Sequence, residues 1–284
     1  MIDMRVRLPD EFRTVSDGEK NSFYERYNEV FGIFENGKRT LQDLMTEMDN
    51  SNVETAVIHA EYEFGEAASH LNKMVAQIVE KHTDRFYGFG TVDLTNLNPL
   101  SLVEQAEEIA DLKLIGINLQ PVFFDVDPLD RRLYPLYATA AKLGLIVSFH
   151  TGIHFSLKSS IIKNNPLYID QIAVDFPKLK IIACHAGWPW IPEMVAVARR
   201  HKNVYLEFGG IDPKYIGYPG SGWETMFSLI NNLLSDQILF GTDWPVISMK
   251  KAIQSWEHLG LNKETLNQLF FENASQLIGK EKGG

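Results

Sequence analysis

Three side chains able to bind a metal or transfer a proton follow apolar runs that have the composition of buried strands. His150 ends the run LIVSFH, His185 ends KIIACH, and Asp243 follows ILFGT. Imidazole and carboxylate groups are common ligands of catalytic zinc, and they also serve as general acids and bases. The sequence therefore presents His150, His185 and Asp243 as candidates for metal binding or proton transfer.

The period of a strand shows which of these residues share a direction, because alternate side chains point to opposite faces. This period turns His150, His185 and Asp243 toward one face, together with Glu207 at the end of another apolar run. It turns Cys184 the opposite way, toward the helices, as a small core residue. We therefore expect His150, His185, Asp243 and Glu207 to meet in one site.

Two other histidines have plainer interpretations. His59 also ends a predicted strand, and a single histidine in that position is usually a hydrogen-bonded structural residue. His154 follows the run that ends at His150, so it lies in a loop where contact with a substrate and plain solvation are both open.

The elements that would position these residues alternate regularly along the chain. Amphipathic helical patterns lie between apolar runs at 2–7, 54–59, 86–92, 114–120, 145–150, 180–185, 203–208 and 237–242. Such alternation of strand and helix predicts an α/β fold, a single (β/α)8 TIM barrel over residues 1–284. In that fold the active site lies at the carboxyl ends of the strands, where the candidate residues fall.

Two segments fall outside the repeat. Residues 8–40 form an insertion after strand 1, which we expect to cover the barrel mouth as a lid or to contact another copy in a homodimer. Residues 263–279 form an extra amphipathic C-terminal helix, which we expect to pack outside the barrel.

Composition excludes several classes of partner and site. The net charge of −10 argues against nucleic acid, because binding phosphates requires a basic surface. The sequence has no apolar run of about 18 residues and no signal-peptide pattern at its start, so we expect no membrane partner and a cytoplasmic location. The single cysteine excludes an intramolecular disulfide and a multi-cysteine metal cluster.

The motifs SFHTG, CHAGW and FGTDWP, in this order, resemble the amidohydrolase superfamily. The resemblance is closest to its amidohydrolase-related branch, which includes aminocarboxymuconate semialdehyde decarboxylase, and it spans essentially the whole chain. It implies a hydrolase or a decarboxylase with a divalent metal, usually zinc. It also implies that His150 and Asp243 bind the metal, and that His185 positions or activates the metal-bound water.

The first motif of the family is altered in this chain. The family begins with aspartate and two metal-binding histidines in an alternating Asp-x-His-x-His pattern. Here the segment is DMRVR, so Asp3 is present but Arg5 and Arg7 stand at the histidine positions. Arginine stays protonated and has no lone pair to give, so it cannot bind a cation.

Two arrangements remain open at this point. In one, a divalent metal, with zinc as the expected ion, stays on His150, His185 and Asp243, with or without Glu207. In the other, the two arginines supply the positive charge, and Asp243 and Glu207 become their salt-bridge partners.

The expected function is hydrolysis of a small carboxylated organic acid, lactone or amide. Decarboxylation is the alternative reaction, and a non-catalytic anion-binding barrel is the alternative class. In the enzyme, a metal or the arginines would polarise the substrate, and Asp243 or His185 would transfer the proton. We expect Arg5 or Arg7 to bind a substrate carboxylate through two parallel hydrogen bonds.

Overall fold

The computed structural model describes residues 1–12, 29–30, 39–61, 67–155 and 159–280. Eight strands lie in these residues: β1 (Ile2–Arg7), β2 (Thr55–His59), β3 (Phe86–Gly90), β4 (Gly116–Leu119), β5 (Ile146–His150), β6 (Ile181–Cys184), β7 (Val204–Glu207) and β8 (Ile238–Leu239). The helices that alternate with them are α1 (Leu41–Asn50), α2 (Ala68–Lys81), α3 (Pro99–Asp111), α4 (Tyr134–Leu143), α5 (Leu167–Asp175), α6 (Ile191–Arg200), α7 (Glu224–Ile230) and α8 (Met249–Glu257).

The strands form one sheet in the order β1 to β8, and every neighbouring pair is parallel. Backbone hydrogen bonds also join the last strand region to the first. The Met4 amide donates to the Phe240 carbonyl at 2.8 Å, and the Asp243 amide donates to the Arg5 carbonyl at 2.9 Å. The sheet therefore closes on itself, which confirms the predicted (β/α)8 barrel.

Local chemistry sets the ends of the helices. The side chain of Asn98 accepts a hydrogen bond from the Leu100 amide at 3.0 Å, and Pro99 occupies the first turn of α3, where an N–H would have no helical partner. Helix α4 ends at Gly144, whose φ of 74° is left-handed and costs little without a side chain. These ends carry the chain back to the start of each following strand.

The barrel interior is packed by apolar side chains that point inward from the strands. They include Ile2, Met4, Val57, Phe89, Ile182 and Leu239. Burying a side chain of this size stabilises a fold by about 1.5–3 kcal/mol. Because this layer fills the lower barrel, polar chemistry is confined to the carboxyl ends of the strands.

The C-terminal segment closes the lower end of the barrel. It comprises α9 (Lys263–Asn267), a π-helical turn (Gln268–Glu272) and α10 (Asn273–Ile278). Ala274 and Leu277 of α10 belong to the interior apolar cluster. The extra C-terminal helix is therefore present as predicted, and Ala274 and Leu277 let α10 cover the lower end of the barrel from outside.

Most of the insertion at 8–40 lies outside the described residues. Within it the structure describes residues 8–12, 29–30 and 39–40, and Val30 lines the cavity at the barrel mouth. The lid and the homodimer contact stay predictions. Among the described helices, none has the length and apolar character needed to cross a bilayer.

Candidate active site

The carboxyl ends of the strands surround a cavity of about 770 Å³. Five of its lining residues are those singled out from the sequence: Arg5, Arg7, His150, His185 and Asp243. Aromatic side chains form much of the remaining wall, namely Phe123, Phe155, Trp188, Tyr215 and Tyr218. The arrangement combines a charged and imidazole-bearing floor with walls suited to a flat apolar ligand.

The two histidines and the aspartate come together as the strand ends predict. The ring centroids of His150 and His185 are 4.7 Å apart. Gly210 shows how close Asp243 is, because a methyl group there would lie 3.3 Å from His185 Nδ1 and 3.4 Å from Asp243 Oδ2. Glycine at this position therefore keeps open the space that the imidazole and the carboxylate share.

Arg5 is enclosed by acceptor atoms and is only 1% exposed. Its Nε donates to Asp243 Oδ1 at 3.0 Å, and its Nη2 donates to Glu61 Oε1 at 2.9 Å. Its Nη1 faces three further acceptors: His59 Nδ1 at 3.2 Å, Asn118 Oδ1 at 3.4 Å and Cys184 Sγ at 3.5 Å. A buried cation requires such compensation, so Arg5 is an internal charge held by the strand ends.

Arg7 directs its planar fork at a carboxylate of the protein itself. Its Nε and Nη2 donate to Asp243 Oδ1 and Oδ2 at 3.2 and 3.0 Å, and its Nη1 lies 3.4 Å from Glu61 Oε2. Asp243 thus occupies the position that a substrate carboxylate would take on this fork. Substrate binding by Arg5 and Arg7 stays a prediction, and it requires a partner exchange at Arg7.

Glu61 is the functional residue to which the sequence analysis gave no role. It is 3% exposed and contacts both arginines, the partnership that we expected of Glu207. Its position two residues after His59 was the available signal, since both residues then belong to one face of the extended chain. The expected salt bridge from Glu207 to the arginines is wrong, because Glu61 takes that position.

Asp243 is held as an anion. Burial alone would raise the pKa of its carboxyl group, but the guanidinium groups of Arg7 and Arg5 outweigh burial and bring the pKa below its usual range. Ionised Asp243 and Glu61 would balance the two arginines. Asp243 therefore serves as a counter-ion and a hydrogen-bond acceptor at neutral pH, and it is a poor proton donor.

His185 and His150 are held as neutral imidazoles. Burial and the charge of Arg5 lower the pKa of His185 to about 4. Burial, then His185 and Arg5, lowers the pKa of His150 well below its usual value. His185 Nδ1 lies 2.6 Å from the Gly209 carbonyl and His150 Nε2 lies 3.2 Å from the Ile153 carbonyl, so these nitrogens donate. The lone pairs are then on His185 Nε2 and His150 Nδ1.

His59 has the structural role that the sequence suggests. Its Nε2 donates to the Met4 carbonyl at 2.9 Å, its Nδ1 accepts from Arg5, and its ring stacks on Phe89 with centroids 4.6 Å apart. Burial and the charge of Arg5 lower its pKa to about 3. His59 therefore helps to fix the Arg5 guanidinium without facing the cavity.

Cys184 points into the barrel, which corrects the expectation that it faces the helices. Its Sγ accepts from Arg5 and lies 2.8 Å from the hydroxyl oxygen of Ser148, and burial raises the pKa of the thiol to about 12. The alternation fails at His185 because β6 ends at Cys184 and His185 adopts a left-handed φ of 63°. Cys184 and His185 both reach the interior side because the chain no longer alternates between them.

Two further carboxyl groups lie buried among these strands, and within the described residues neither forms a salt bridge. Asp3 accepts from the Thr242 hydroxyl at 2.6 Å and from the Arg5 amide at 3.0 Å, and burial raises its pKa to about 7. Glu207 accepts from the Gly209 amide, and burial raises its pKa to about 8. These two groups are poised to hold protons near neutral pH.

The donor set does not fit a divalent metal as it is arranged. Both Asp243 oxygens accept hydrogen bonds from arginine, and a second cation would meet two guanidinium groups that repel it by several kcal/mol. Within the described parts of the chain, no group of three His, Cys, Asp or Glu residues is arranged to hold a metal ion. The contacts instead follow the arrangement in which the arginines supply the positive charge, with Glu61 in place of Glu207.

The family described as amidohydrolase matches residues 2–280 of the chain. The chain belongs to the amidohydrolase family. This match covers nearly the whole sequence, so it confirms the resemblance carried by the motifs at β5, β6 and β8. No curated protein sequence matches the chain.

Solved structures of similar proteins share the whole fold of this amidohydrolase. An uncharacterised TIM-barrel protein from Bordetella bronchiseptica is 26% identical, with 98% of each chain covered and a TM-score of 0.79. The 5-carboxyvanillate decarboxylase from Sphingomonas paucimobilis is 16% identical, with 98% of each chain covered and a TM-score of 0.74. A 5-carboxyvanillate decarboxylase from Novosphingobium aromaticivorans, complexed with manganese and a nitrobenzoic acid, is 14% identical over 98% of this chain and 95% of its own, with a TM-score of 0.70.

Proposed function

We propose that this amidohydrolase is a decarboxylase of small aromatic carboxylic acids and that it works without a bound metal. The observation that carries the proposal is the cavity, whose aromatic walls enclose a floor with two neutral imidazoles and an ionised Asp243. An aromatic acid fits such walls. Removing its carboxylate from water also favours loss of the charge as carbon dioxide.

The reaction needs a proton at the carbon that loses the carboxylate. The balanced change is R–COO⁻ plus H⁺ giving R–H and CO₂, so the C–C electron pair ends in the new C–H bond. For a substrate with a ring hydroxyl, His185 Nε2 would take the hydroxyl proton and increase electron density in the ring. The resulting imidazolium would then protonate the ring carbon, carbon dioxide would leave, and the product phenolate would take up the H⁺ of the overall change from solvent.

The positive charge in this mechanism comes from the chain. Zinc or another divalent ion on His150, His185 and Asp243 would require Asp243 to leave both arginines. When such an ion is bound in an enzyme, it polarises the reacting carboxylate as a Lewis acid. Here Arg7 would orient the substrate carboxylate, after exchanging part of its contact with Asp243.

Two lysines at the cavity mouth support an acidic substrate. Lys214 and Lys251 line the cavity, and their Nζ atoms lie 3.5 and 2.9 Å from Asp212 Oδ2. Two ammonium groups sharing one carboxylate leave a net positive charge near the opening, which attracts anions. A small acidic substrate, a homodimer, a cytoplasmic location and the lack of nucleic-acid or membrane partners all stay predictions.

The similar decarboxylases share the fold of this chain, and their substrates indicate which acids should be assayed. Hydrolysis of a lactone or amide is the second candidate, because a neutral imidazole such as His185 can also take a proton from water.

The test is incubation of the purified protein with hydroxylated benzoates and with lactones, followed by measurement of carbon dioxide and products. In D₂O, decarboxylation places one deuterium on the carbon that lost the carboxylate. We expect this product with the parent and with the exposed-histidine control His258→Asn, and its loss with His185→Asn. A hydrolysed product without carbon dioxide supports the second candidate. Carboxylate binding without turnover of any substrate supports the anion-binding barrel.

A further inference from the structure

Glu207 is a buried residue to which the proposed reaction gives no role. It ends β7, it is fully buried, and it lies outside the wall of the cavity. Its Oε1 accepts a hydrogen bond from the Gly209 amide. The carbonyl oxygen of the same glycine lies 2.6 Å from His185 Nδ1. Glu207 and His185 therefore contact the two backbone polar groups of one residue.

The chain after β7 does not fix the orientation of this glycine by itself. Gly209 and Gly210 are consecutive, and glycine adopts a wide range of backbone angles because it has no side chain. Gly210 uses this freedom, since its φ of 73° is left-handed. The direction of the Gly209 carbonyl therefore depends on contacts with neighbouring groups.

Contacts on both sides of Gly209 supply that direction. Glu207 holds the Gly209 amide, which fixes the peptide group before the α-carbon of this residue. The Gly210 amide donates to the Thr242 carbonyl at 3.2 Å, and it belongs to the same peptide group as the Gly209 carbonyl. The carbonyl that faces His185 is thus held from strand ends on both sides.

The carboxyl group of Glu207 is itself closely confined. A methyl group on Gly209 would lie 2.5 Å from Glu207 Oε1, and a side chain on Gly241 would collide with the same atom. The carboxyl group is therefore packed against two glycine backbones, with little room to turn away from the Gly209 amide. A side chain confined in this way can hold a backbone group at a fixed position.

We propose that Glu207 is a positioning residue for His185 and that it acts through Gly209. By holding the Gly209 amide, it keeps the Gly209 carbonyl directed at His185 Nδ1. A neutral imidazole carries one proton, and the hydrogen bond made by one nitrogen decides which nitrogen carries it. The proton therefore stays on Nδ1, and the lone pair stays on Nε2.

This tautomer is the one that the proposed decarboxylase requires, because His185 Nε2 must accept the hydroxyl proton of the substrate. With the proton on Nε2, the ring would present a donor at that position and could not accept the proton. The effect of Glu207 on turnover rests on the proposed function, whereas its effect on the tautomer does not. The two effects can therefore be tested separately.

The experiment measures the tautomer of His185 in the full-length protein. Histidine ring nitrogens are labelled with ¹⁵N, spectra are recorded at pH 7, and His185→Asn identifies the resonances of His185. A ring nitrogen that carries a proton and one that carries a lone pair differ widely in chemical shift. In the parent we expect the Nδ1–H form to exceed the Nε2–H form by about tenfold, the effect of one satisfied hydrogen bond.

Two substitutions at Glu207 and one control test the cause. Glu207→Met removes the acceptor but keeps an unbranched side chain, and it should bring the two tautomers to within about twofold of each other. Glu207→Gln keeps an acceptor oxygen and should retain the parent ratio. Leu206→Ala is the matched control, because Leu206 is the buried neighbour on β7 that packs on the helix side. It should lower stability and leave the tautomer unchanged.

Turnover provides a second measurement. In Glu207→Met, kcat for release of carbon dioxide should fall by at least about tenfold, a part of the roughly hundredfold or more that a positioned acid–base group contributes. KM should change less, because Glu207 does not line the cavity. Glu207→Gln should restore most of kcat.

Each outcome decides for or against the positioning role. A parent without the Nδ1–H preference, a parent-like ratio in Glu207→Met or a shifted ratio in Glu207→Gln would overturn it. If Glu207→Met does not fold, Glu207→Ala replaces it. Failure of both to fold would also overturn the inference, because Glu207 would then hold the whole barrel. A tautomer that depends on Glu207, in a protein that releases no carbon dioxide from any benzoate, would reject the decarboxylase and keep the positioning role.

Discussion

Arg7 holds both oxygens of Asp243, through hydrogen bonds of 3.2 Å from Nε and 3.0 Å from Nη2. This bidentate pair joins the first strand of the barrel to the segment after the last. The two residues stand where the family pattern has a metal-binding histidine and a metal-binding aspartate. An ion pair internal to the chain therefore occupies the position at which the family would bring two metal ligands together.

The first prediction concerns the stability that Arg5 provides. Arg5→Met would leave Asp243 with Arg7 alone and remove a donor from Glu61 and His59. Removing one partner of a buried ion pair destabilises a fold by about 3–5 kcal/mol, because the remaining charge stays buried. The free energy of unfolding from urea titration measures this loss.

Lys202→Met is the matched control for that substitution. Lys202 pairs with Asp236 at 2.8 Å, and both side chains are largely exposed. An exposed pair contributes about 0–1 kcal/mol, so the control should lose no more than that. Equal losses in the two variants would show that the Arg5 network does not hold the barrel ends together.

The second prediction concerns metal content. The parent, dialysed after exposure to Mn²⁺ or Zn²⁺, should retain well under one equivalent, since both oxygens of Asp243 are engaged by arginine. The double variant Arg5→His, Arg7→His frees Asp243 and supplies two imidazoles, so its metal content should rise toward one equivalent. Elemental analysis of the dialysed proteins gives the answer.

Addition of Asp243→Asn to the double variant provides the control. It removes the anionic ligand while keeping the new histidines, so most of the bound metal should be lost. A parent protein that holds one equivalent and loses it on Asp243→Asn would contradict the assignment of the positive charge to the arginines.

Much of the barrel could be predicted because strand geometry is local. The alternation along β5 and β7 correctly placed His150 and Glu207 on the interior side. These directions follow from the backbone alone, and they hold wherever the chain stays extended. The order of the strand ends around the barrel then brought distant residues into one cavity.

The predictions for Cys184 and for the partner of the arginines failed because they depend on the three-dimensional arrangement of the chain. Cys184 points inward with Ile182 by the regular alternation of β6, and the left-handed backbone at His185 brings His185 to the same side; the sequence carries no glycine there to signal it. The choice of Glu61 over Glu207 as the arginine partner depends on side-chain reach across the mouth. The period of a strand shows to which face a side chain points but not how far it reaches. The sequence therefore could not show which of the two glutamates contacts the arginines.

The third prediction concerns the close packing of Gly241 against Glu207. A side chain at Gly241 would collide with Glu207 Oε1. Gly241→Ala should therefore destabilise the barrel by about 1–3 kcal/mol, because the buried Glu207 side chain must shift to make room. The loss should shrink in a Glu207→Ala background, where the colliding atoms are gone, and urea titration of the four proteins measures this coupling. If the losses of Gly241→Ala and Glu207→Ala simply add in the double variant, a side chain at position 241 does not collide with Glu207.

The fourth prediction follows from the proton that Glu207 keeps. Its pKa is about 8 in the folded chain against 4.5 as the ordinary value, because it is buried. Because folding raises the pKa of Glu207, this residue stabilises the fold fully at pH values below 4.5. The contribution is lost as pH rises from 4.5 through about 8. Between pH 7 and 8 Glu207 should contribute a loss of stability whose slope falls from about 1.2 to about 0.7 kcal/mol per pH unit, because its carboxyl group becomes half ionised at pH 8.

The buried histidines do not obscure this window. The pKa values of His185 and His59 are lowered to about 4 and 3, so their contribution is lost only as pH falls below about 6.5. Glu207→Gln has no proton to lose, so its profile above pH 7 should keep only the smaller slope that Asp3 contributes through its pKa of about 7, whereas the exposed control Glu104→Gln should reproduce the parent profile. Unfolding measured by urea at each pH decides the matter: a Glu207→Gln profile as steep as that of the parent would mean that Glu207 is ionised in the folded barrel.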